Sequence, residues 1–331
     1  MLIVGGDDVR SLLDGREDDV IDRVEEAYRA HARGDSSVPH SLFLRFPDAP
    51  RNRIIALPAY LRTPERIAGV KWVSSFPGNV EQGRERASAV LVLNSADTGV
   101  PEAIVEASVI NARRTAASAA AAARVLAPDA GPDAVALIGC GPINFEIVRF
   151  LLATRPGLRR LTLFDLDPMR AERFGARCVE RWPSLAARVA GGVAEALDGQ
   201  SLVSIATTAP APHLADLSPC AAGAVVLHVS LRDIAPEVLL ACDNVTDDVD
   251  HVCRADTSLD LAARRTGSRD FIRTTIGEIL TGAAPARAGD GTMAVFSPFG
   301  LGILDIAVAD LVRRLALAEG RGMVLGGFFP T

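Results

Sequence analysis

The chain has 331 residues, 49% of them apolar, and a formal charge of −6. That length supports two domains with a sizeable core, and the acidic balance argues against a nucleic-acid or anionic-membrane partner. Cys140, Cys178, Cys220, Cys242 and Cys253 are odd in number and include no C-x-x-C pair, so neither a disulfide framework nor a zinc site is indicated and no metal is expected. They read as small buried residues of a cytoplasmic protein. Met1 to Arg10 lacks the basic and apolar regions of a signal peptide, and no run approaches the ~20 apolar residues of a membrane span.

Leu2 to Val4 reads as a short strand, Asp7 as the cap of a brief helix, and residues 18–33 as a longer helix. Val20, Ile21, Val24, Ala27, Tyr28 and His31 share one face of that helix, and Gly34 ends it. His31 and His40 have no second ligand at metal spacing. From 41 to 108 the texture becomes β-rich, with strands expected at 41–46, 53–61, 67–76, 88–94 and 100–106. Three basic residues interrupt or edge apolar runs there: Arg45, Lys71 and Arg114. Taken singly, each suits a solvent-facing position. Together they suggest a carboxylate-binding pocket, since guanidinium forks bind carboxylates bidentately and a strand-held ammonium is a fixed point charge. Thr115 opens an alanine-rich helix expected at 115–125, where it either starts the helix or lends a hydroxyl to a phosphate or substrate. Residues 128–132 read as the linker between domains.

The stretch from Ala134 to Ile147 then runs as strand, glycine turn and helix. Gly139 and Gly141 free the backbone to turn tightly beneath a pyrophosphate, with Pro142, Ile143 and Asn144 opening the helix whose N-terminus favours an anion. The next strand ends at Asp165, about 20 residues on, where a carboxylate accepts from the ribose hydroxyls of NAD and repels a 2′-phosphate. Asp167, before Pro168, is the better cap for the following helix. Asn144 stands where a third small residue normally lets helix and strand pack closely. Either the helix sits further out, or the amide reaches the phosphate.

Strands ending at Thr207-Thr208 and at Ser230 place polar loops at the carboxyl edge of a parallel sheet, where they face the cofactor. For Thr207 and Thr208 ordinary turn chemistry is an equal reading, and His213 in the same loop carries no sharper signal. From the residues alone Asp233 reads first as the cap of a helix near Pro236, with proton transfer as the alternative for an acid in this loop. His228 reads as a hydrogen-bonded core histidine and His251 as a helix-surface residue. The helix from Ile303 to Ala318, with Leu304, Ala307, Val308, Leu311 and Leu315 on one face, is expected to return to the first domain. The fold class is therefore α/β, a doubly wound Rossmann-type sheet plus a discontinuous β-rich domain. The expected domains are 1–127 with 303–331, and 128–302.

These segments resemble the ornithine cyclodeaminase/μ-crystallin family over essentially the whole chain. The resemblance rests on Gly69-Val-Lys-Trp72, Arg113-Arg-Thr-Ala-Ala117, the glycine turn and Leu231-Arg-Asp233, in the family's order. Lys71 to Asn79, Arg86 to Leu93, Leu227 to Asp233 and Ser297 to Gly302 are similar to its siderophore-pathway branch, the N-[(2S)-2-amino-2-carboxyethyl]-L-glutamate dehydrogenases that make L-2,3-diaminopropionate. The resemblance implies substrate contacts at Arg45, Lys71 and Arg114, catalysis by Asp233 with Lys71, and a homodimer formed through the β-rich domain. Ser88, within Arg86 to Leu93, joins Thr115, Thr207 and Thr208 as an expected cofactor contact. Other activities in the family are ornithine cyclodeaminase, alanine dehydrogenase and ketimine reductase, and μ-crystallin-like relatives bind nucleotides or hormones without needing turnover.

Overall fold

The computed structural model describes residues 1–127 and 133–329, so the linker expected at 128–132 lies outside the described residues. The chain divides into two compact units, Met1–Arg114 with Gly300–Thr331, and Thr115–Phe299. The first division falls inside the alanine-rich helix rather than after it, and the second at Gly300 rather than at 303.

The first unit opens with β1 (Leu2–Val4), α1 (Gly6–Leu12) and α2 (Glu17–Ala32). It continues through β2 (Ser36–Ser37), β3 (Leu42–Phe46), β4 (Ala49–Arg62), β5 (Arg66–Ser75), β6 (Ala87–Asn94) and β7 (Pro101–Glu106) into α3 (Ser108–Leu126). Gly5, not Asp7, occupies the cap of α1; Asp7 lies in its first turn and pairs with Arg10. Helix α3 begins well before its alanine run because Glu106 accepts from the backbone N–H groups of Ser108 and Val109 at 2.7 and 3.3 Å. That early start puts Asn111 and Arg114 on a helix.

The second unit follows the alternating pattern β8 (Ala134–Ile138), α4 (Pro142–Thr154), β9 (Arg160–Phe164), α5 (Pro168–Arg181), β10 (Ala186–Val189), α6 (Val193–Leu197) and β11 (Leu202–Ile205). It goes on through β12 (Val225–His228), α7 (Pro236–Leu239), β13 (Asp243–Thr246), α8 (Val249–Val252), α9 (Ser258–Thr266), β14 (Ile272–Thr275), α10 (Ile276–Thr281) and β15 (Ala294–Phe296). Its eight strands are parallel in the order β10-β9-β8-β11-β12-β15-β13-β14. The order reverses between β8 and β11, and ligands of such sheets bind at the carboxyl edge beside that switch. Strand β13 carries no apolar run: Asn244 is fully buried and donates to the carbonyls of Leu239, Cys242 and Phe271, while Asp243 pairs with Arg273 at 2.6 Å. The bonds from the Asn244 amide nitrogen and the Asp243–Arg273 pair let it sit inside the sheet.

The chain then returns to the first unit as α11 (Gly302–Glu319) and β16 (Met323–Val324). Sheet order there is β16-β1-β7-β6-β5-β4-β2, with β3 pairing β4. Every residue of α11 from Gly302 to Val312 is buried, against α2 and the faces of β4, β5 and β6. A Cβ on Gly69 of β5 would meet the Val92 carbonyl oxygen of neighbouring β6 at 2.5 Å and Ile306 Cγ2 of α11 at 3.3 Å. Among the described residues no helix is long and apolar enough to cross a membrane. A Gly69→Ala substitution is expected to lower stability by about 1–3 kcal/mol through overpacking. A reduced denaturant midpoint at unchanged slope would register it, and an unchanged midpoint would show that the sheet yields.

Candidate active site

Strand β8 delivers the chain into Gly139, whose φ of +90° belongs to the left-handed region. A Cβ there would stand 2.5 Å from the Ala206 carbonyl oxygen and 3.3 Å from Thr207 Cα, so only glycine fits. Gly141 caps α4 in an extended conformation and Pro142 takes the first helical position. Asp165, just past β9, accepts from Cys140 N at 2.8 Å through Oδ2 and from Asp167 N at 3.0 Å through Oδ1. The acid is thereby tied to the turn it is expected to serve. Asp167 caps α5, accepting from Met169 N. Asn144 requires a correction: it is fully buried, donating to the carbonyls of Ile138 and Gly139 at 3.2 and 2.6 Å and accepting from Ser204 Oγ at 2.7 Å. Its amide staples the turn to β11 from within and does not reach toward a phosphate. A turn closed to any Cβ, a helix N-terminus and a fixed acceptor at the next strand end together fit a dinucleotide without a 2′-phosphate.

On the same edge, the loop after β12 carries Asp233. It is fully buried. Oδ1 meets Thr207 Oγ1 and, at 3.2 Å, His213 Nε2; Oδ2 meets Ser230 Oγ at 2.5 Å and lies 3.3 Å from His228 Nε2, which accepts from the Asp233 backbone N–H at 3.2 Å. Burial pushes the carboxyl upward, but the bonds from His228, Ser230 and Thr207 outweigh it and hold the group well below the ordinary carboxylate range. Leu231, at φ +71°, takes the left-handed conformation that turns the loop back so that Asp233 points inward. That conformation costs roughly 1–2 kcal/mol for a residue with a Cβ, and Leu231 packs against the apolar core. His228 is the buried, bonded histidine expected, with Ser297 Oγ 3.1 Å from Nδ1, yet its other nitrogen faces the acid. His251 is not a surface residue: it is 7% exposed and its Nδ1 lies 2.9 Å from Asp248.

In the first unit, Lys71 and Arg114 come together around an acid the sequence reading missed. Asp305, fully buried in the first turn of α11, accepts from Lys71 Nζ at 2.6 Å and from Arg114 Nε at 2.9 Å. Asn111 Oδ1 bridges the same cations at 3.0 and 2.7 Å. Burial drives the Lys71 ammonium down to about 8, with Asp305 resisting and Arg114 assisting. Two cations share one carboxylate, which leaves a single surplus positive charge when Lys71 is protonated. Asp305 had a legible signal, a carboxylate inside Ile303-Leu-Asp-Ile306 on the apolar face of a helix.

Arg45 does not join this group. It is exposed, its guanidinium over the Phe43 ring at 5.6 Å, and it pairs across to Arg53 whereas Lys71 pairs with Leu57. The two sites lie roughly 13 Å apart along β4. Ser88 is exposed on β6 with its hydroxyl 2.8 Å from Ser74 Oγ, Thr115 is half-buried on α3, and Thr208 is exposed after β11.

Residues 7–320 match the ornithine cyclodeaminase/mu-crystallin family, and the chain belongs to it. It is 28% identical over 333 residues, 98% of each chain, to the N-((2S)-2-amino-2-carboxyethyl)-L-glutamate dehydrogenase of Staphylococcus aureus. It is 27% identical, over 97% of each chain, to the alanine dehydrogenase of Archaeoglobus fulgidus. Among solved structures, an archaeal alanine dehydrogenase dimer with bound NAD superposes at a TM-score of 0.88, with 26% identity and 99% of both chains covered.

An Asp305→Ala variant leaves two buried cations without a counter-charge and is expected to lose about 3–5 kcal/mol of stability. Equilibrium unfolding measures this directly; a loss under about 1 kcal/mol would show that water or rearrangement replaces the acid.

Proposed function

We propose that this protein is an NAD-dependent amino-acid dehydrogenase that converts N-(2-amino-2-carboxyethyl)-L-glutamate to 2-oxoglutarate and L-2,3-diaminopropionate. The observation that carries the dehydrogenase reading is the ionised, buried Asp233 joined through Thr207 to the loop against which Gly139 closes. The choice of substrate is supported by the full-length similarity to the staphylococcal enzyme. NAD⁺, when bound, supplies the acceptor for the hydride at the glutamyl Cα.

In this reading Asp165 accepts from the ribose hydroxyls, the first turn of α4 faces the pyrophosphate, and Ser88, Thr115, Thr207 and Thr208 complete the cofactor contacts. Lys71 and Arg114 hold the carboxylate beside the reacting carbon, and Arg45 a distal one, which is catalysis by positioning. The loop cluster centred on Asp233 serves the proton transfers that accompany formation of the C=N bond and its hydrolysis. The surplus charge at Lys71, Arg114 and Asp305 matches one carboxylate, a group common to alanine, ornithine and the glutamate adduct, so distal contacts select among them. The polypeptide acts as a homodimer in a reducing compartment: Leu42, Phe43, Leu44 and Trp72 are exposed apolar residues of the first unit, and all five cysteines are free. Its product serves the assembly of a siderophore or peptide antibiotic.

The purified protein, given NAD⁺ and the aminocarboxyethyl-glutamate, should form NADH and 2-oxoglutarate in equal amounts. Proline and ammonia from ornithine without net NADH would sink the assignment, and NADH from alanine alone would make the enzyme an alanine dehydrogenase. The pH profile offers a second check. Lys71, brought down to about 8, loses its charge above that pH, so kcat/KM should fall about tenfold per unit beyond it. Lys71→Arg, which stays charged, should lack that limb; an unchanged limb would place the titrating group elsewhere.

A further inference from the structure

We propose that His213 is the catalytic residue that exchanges the proton with the substrate amine, and that Asp233 is its positioning residue. The inference deepens the dehydrogenase reading above and rests on it. A carboxylate offers about four lone-pair sites. In Asp233, Thr207 and His213 occupy one oxygen and Ser230 the other, where His228 Nε2 also stands at 3.3 Å while accepting from the Asp233 backbone N–H, and the residue has no exposed surface. A carboxylate so held and enclosed is a weak base with no open route for an incoming proton. His213 is different: its side chain is 41% exposed while its Nε2 holds the buried acid. Its backbone N–H also donates to the Asp233 carbonyl at 2.8 Å, so the two residues are fixed at both main chain and side chain.

With Nε2–H donated to Asp233, Nδ1 carries the free lone pair. A buried carboxylate behind an accessible imidazole selects that tautomer and stabilises the imidazolium that forms. The pair stands beside the dinucleotide turn, because Thr207, which bonds the same Oδ1, is the residue whose Cα a side chain at Gly139 would strike. Among the described residues, the titratable groups in contact with this cluster are Asp233 and His228; Arg232 turns away to the Ala255 carbonyl.

The step balances as follows. Nδ1 removes one proton from the secondary ammonium of the substrate, and the nitrogen lone pair forms C=N as the Cα hydrogen leaves with its electron pair to NAD⁺. Water adds to that carbon, the imidazolium returns its proton to the nitrogen, and the C–N bond breaks as C=O forms. Of the two water protons, one ends on the departing amine and one in solvent.

The test has two arms on the full-length protein. In the first, the tautomer of the His213 imidazole is read by nitrogen and proton NMR in the wild type and in Asp233→Asn, with NAD⁺ present. The wild-type proton should sit on Nε2 and its resonance should move upfield when the amide replaces the carboxylate; a proton on Nδ1, or an unmoved resonance, would overturn the pairing. In the second, turnover of the aminocarboxyethyl-glutamate is followed across pH. His213→Ala and His213→Gln should keep wild-type NAD⁺ affinity but lose about 100-fold or more in kcat together with the acid limb, and free imidazole should partly restore the Ala variant. Wild-type kcat and pH profile in both variants would overturn the proposal and return the proton transfer to Asp233. If the wild type turns over none of the amino acids offered, the reaction assigned above fails, while the first arm still decides whether Asp233 governs His213.

Discussion

The second unit depends on one close approach, that of Gly139 to Ala206 and Thr207. Because no Cβ intervenes, the ends of β8 and β11 meet at the point where strand order reverses. Everything chemical on this edge is indexed to that contact. Thr207 turns its hydroxyl to Asp233, Cys140 gives its N–H to Asp165, and Asn144 ties the turn to Ser204 from beneath. The third position of the motif is thus not a weakened glycine. A fully satisfied buried amide fixes the turn with directional bonds where a small residue would have relied on packing alone.

The first unit answers a different problem, that of keeping cations inside a sheet. A buried ammonium is tolerable only with a partner, and Lys71 and Arg114 divide one carboxylate and one amide between them. The arrangement is neither neutral nor highly charged. It leaves an attraction for one anion while Asp305 fixes both donors in place, so that orientation and affinity come from the same three charges.

The parallel α/β class, the glycine turn, the helix at 142–154 and the Asp167 cap were legible because each follows from local geometry: apolar strands, a positive-φ glycine, proline at a helix start. The pairing of Lys71 with Arg114 was legible only as a suspicion, since each alone suits a surface. What stayed hidden was polar residues buried with their partners. Strand β13 has Asp243 and Asn244 where periodicity looks for valine, and Asp305 sits on a helix whose apolar face drew attention away from it. Arg45 stands apart from Lys71 and Arg114 because sequence proximity to apolar residues says nothing about register, which sets it opposite Arg53. His213 carried no pattern at all; its meaning comes from a carboxylate 20 positions away in the chain.

The return of α11 carries a consequence for how the molecule is made. Lys71 and Asp305 are separated by 234 positions, so the counter-ion of the lysine is synthesised only after the whole second unit. Until then the central strands of the first sheet lack both the helix that covers them and the acid that pairs with Lys71. The intervening residues form a separate compact unit able to close while the first still waits. Closing the first unit is a step of high contact order, since it joins segments on either side of the inserted unit. The exposed face in the interim is the one most in need of protection from aggregation, and chains cut short of residue 302 would never complete it.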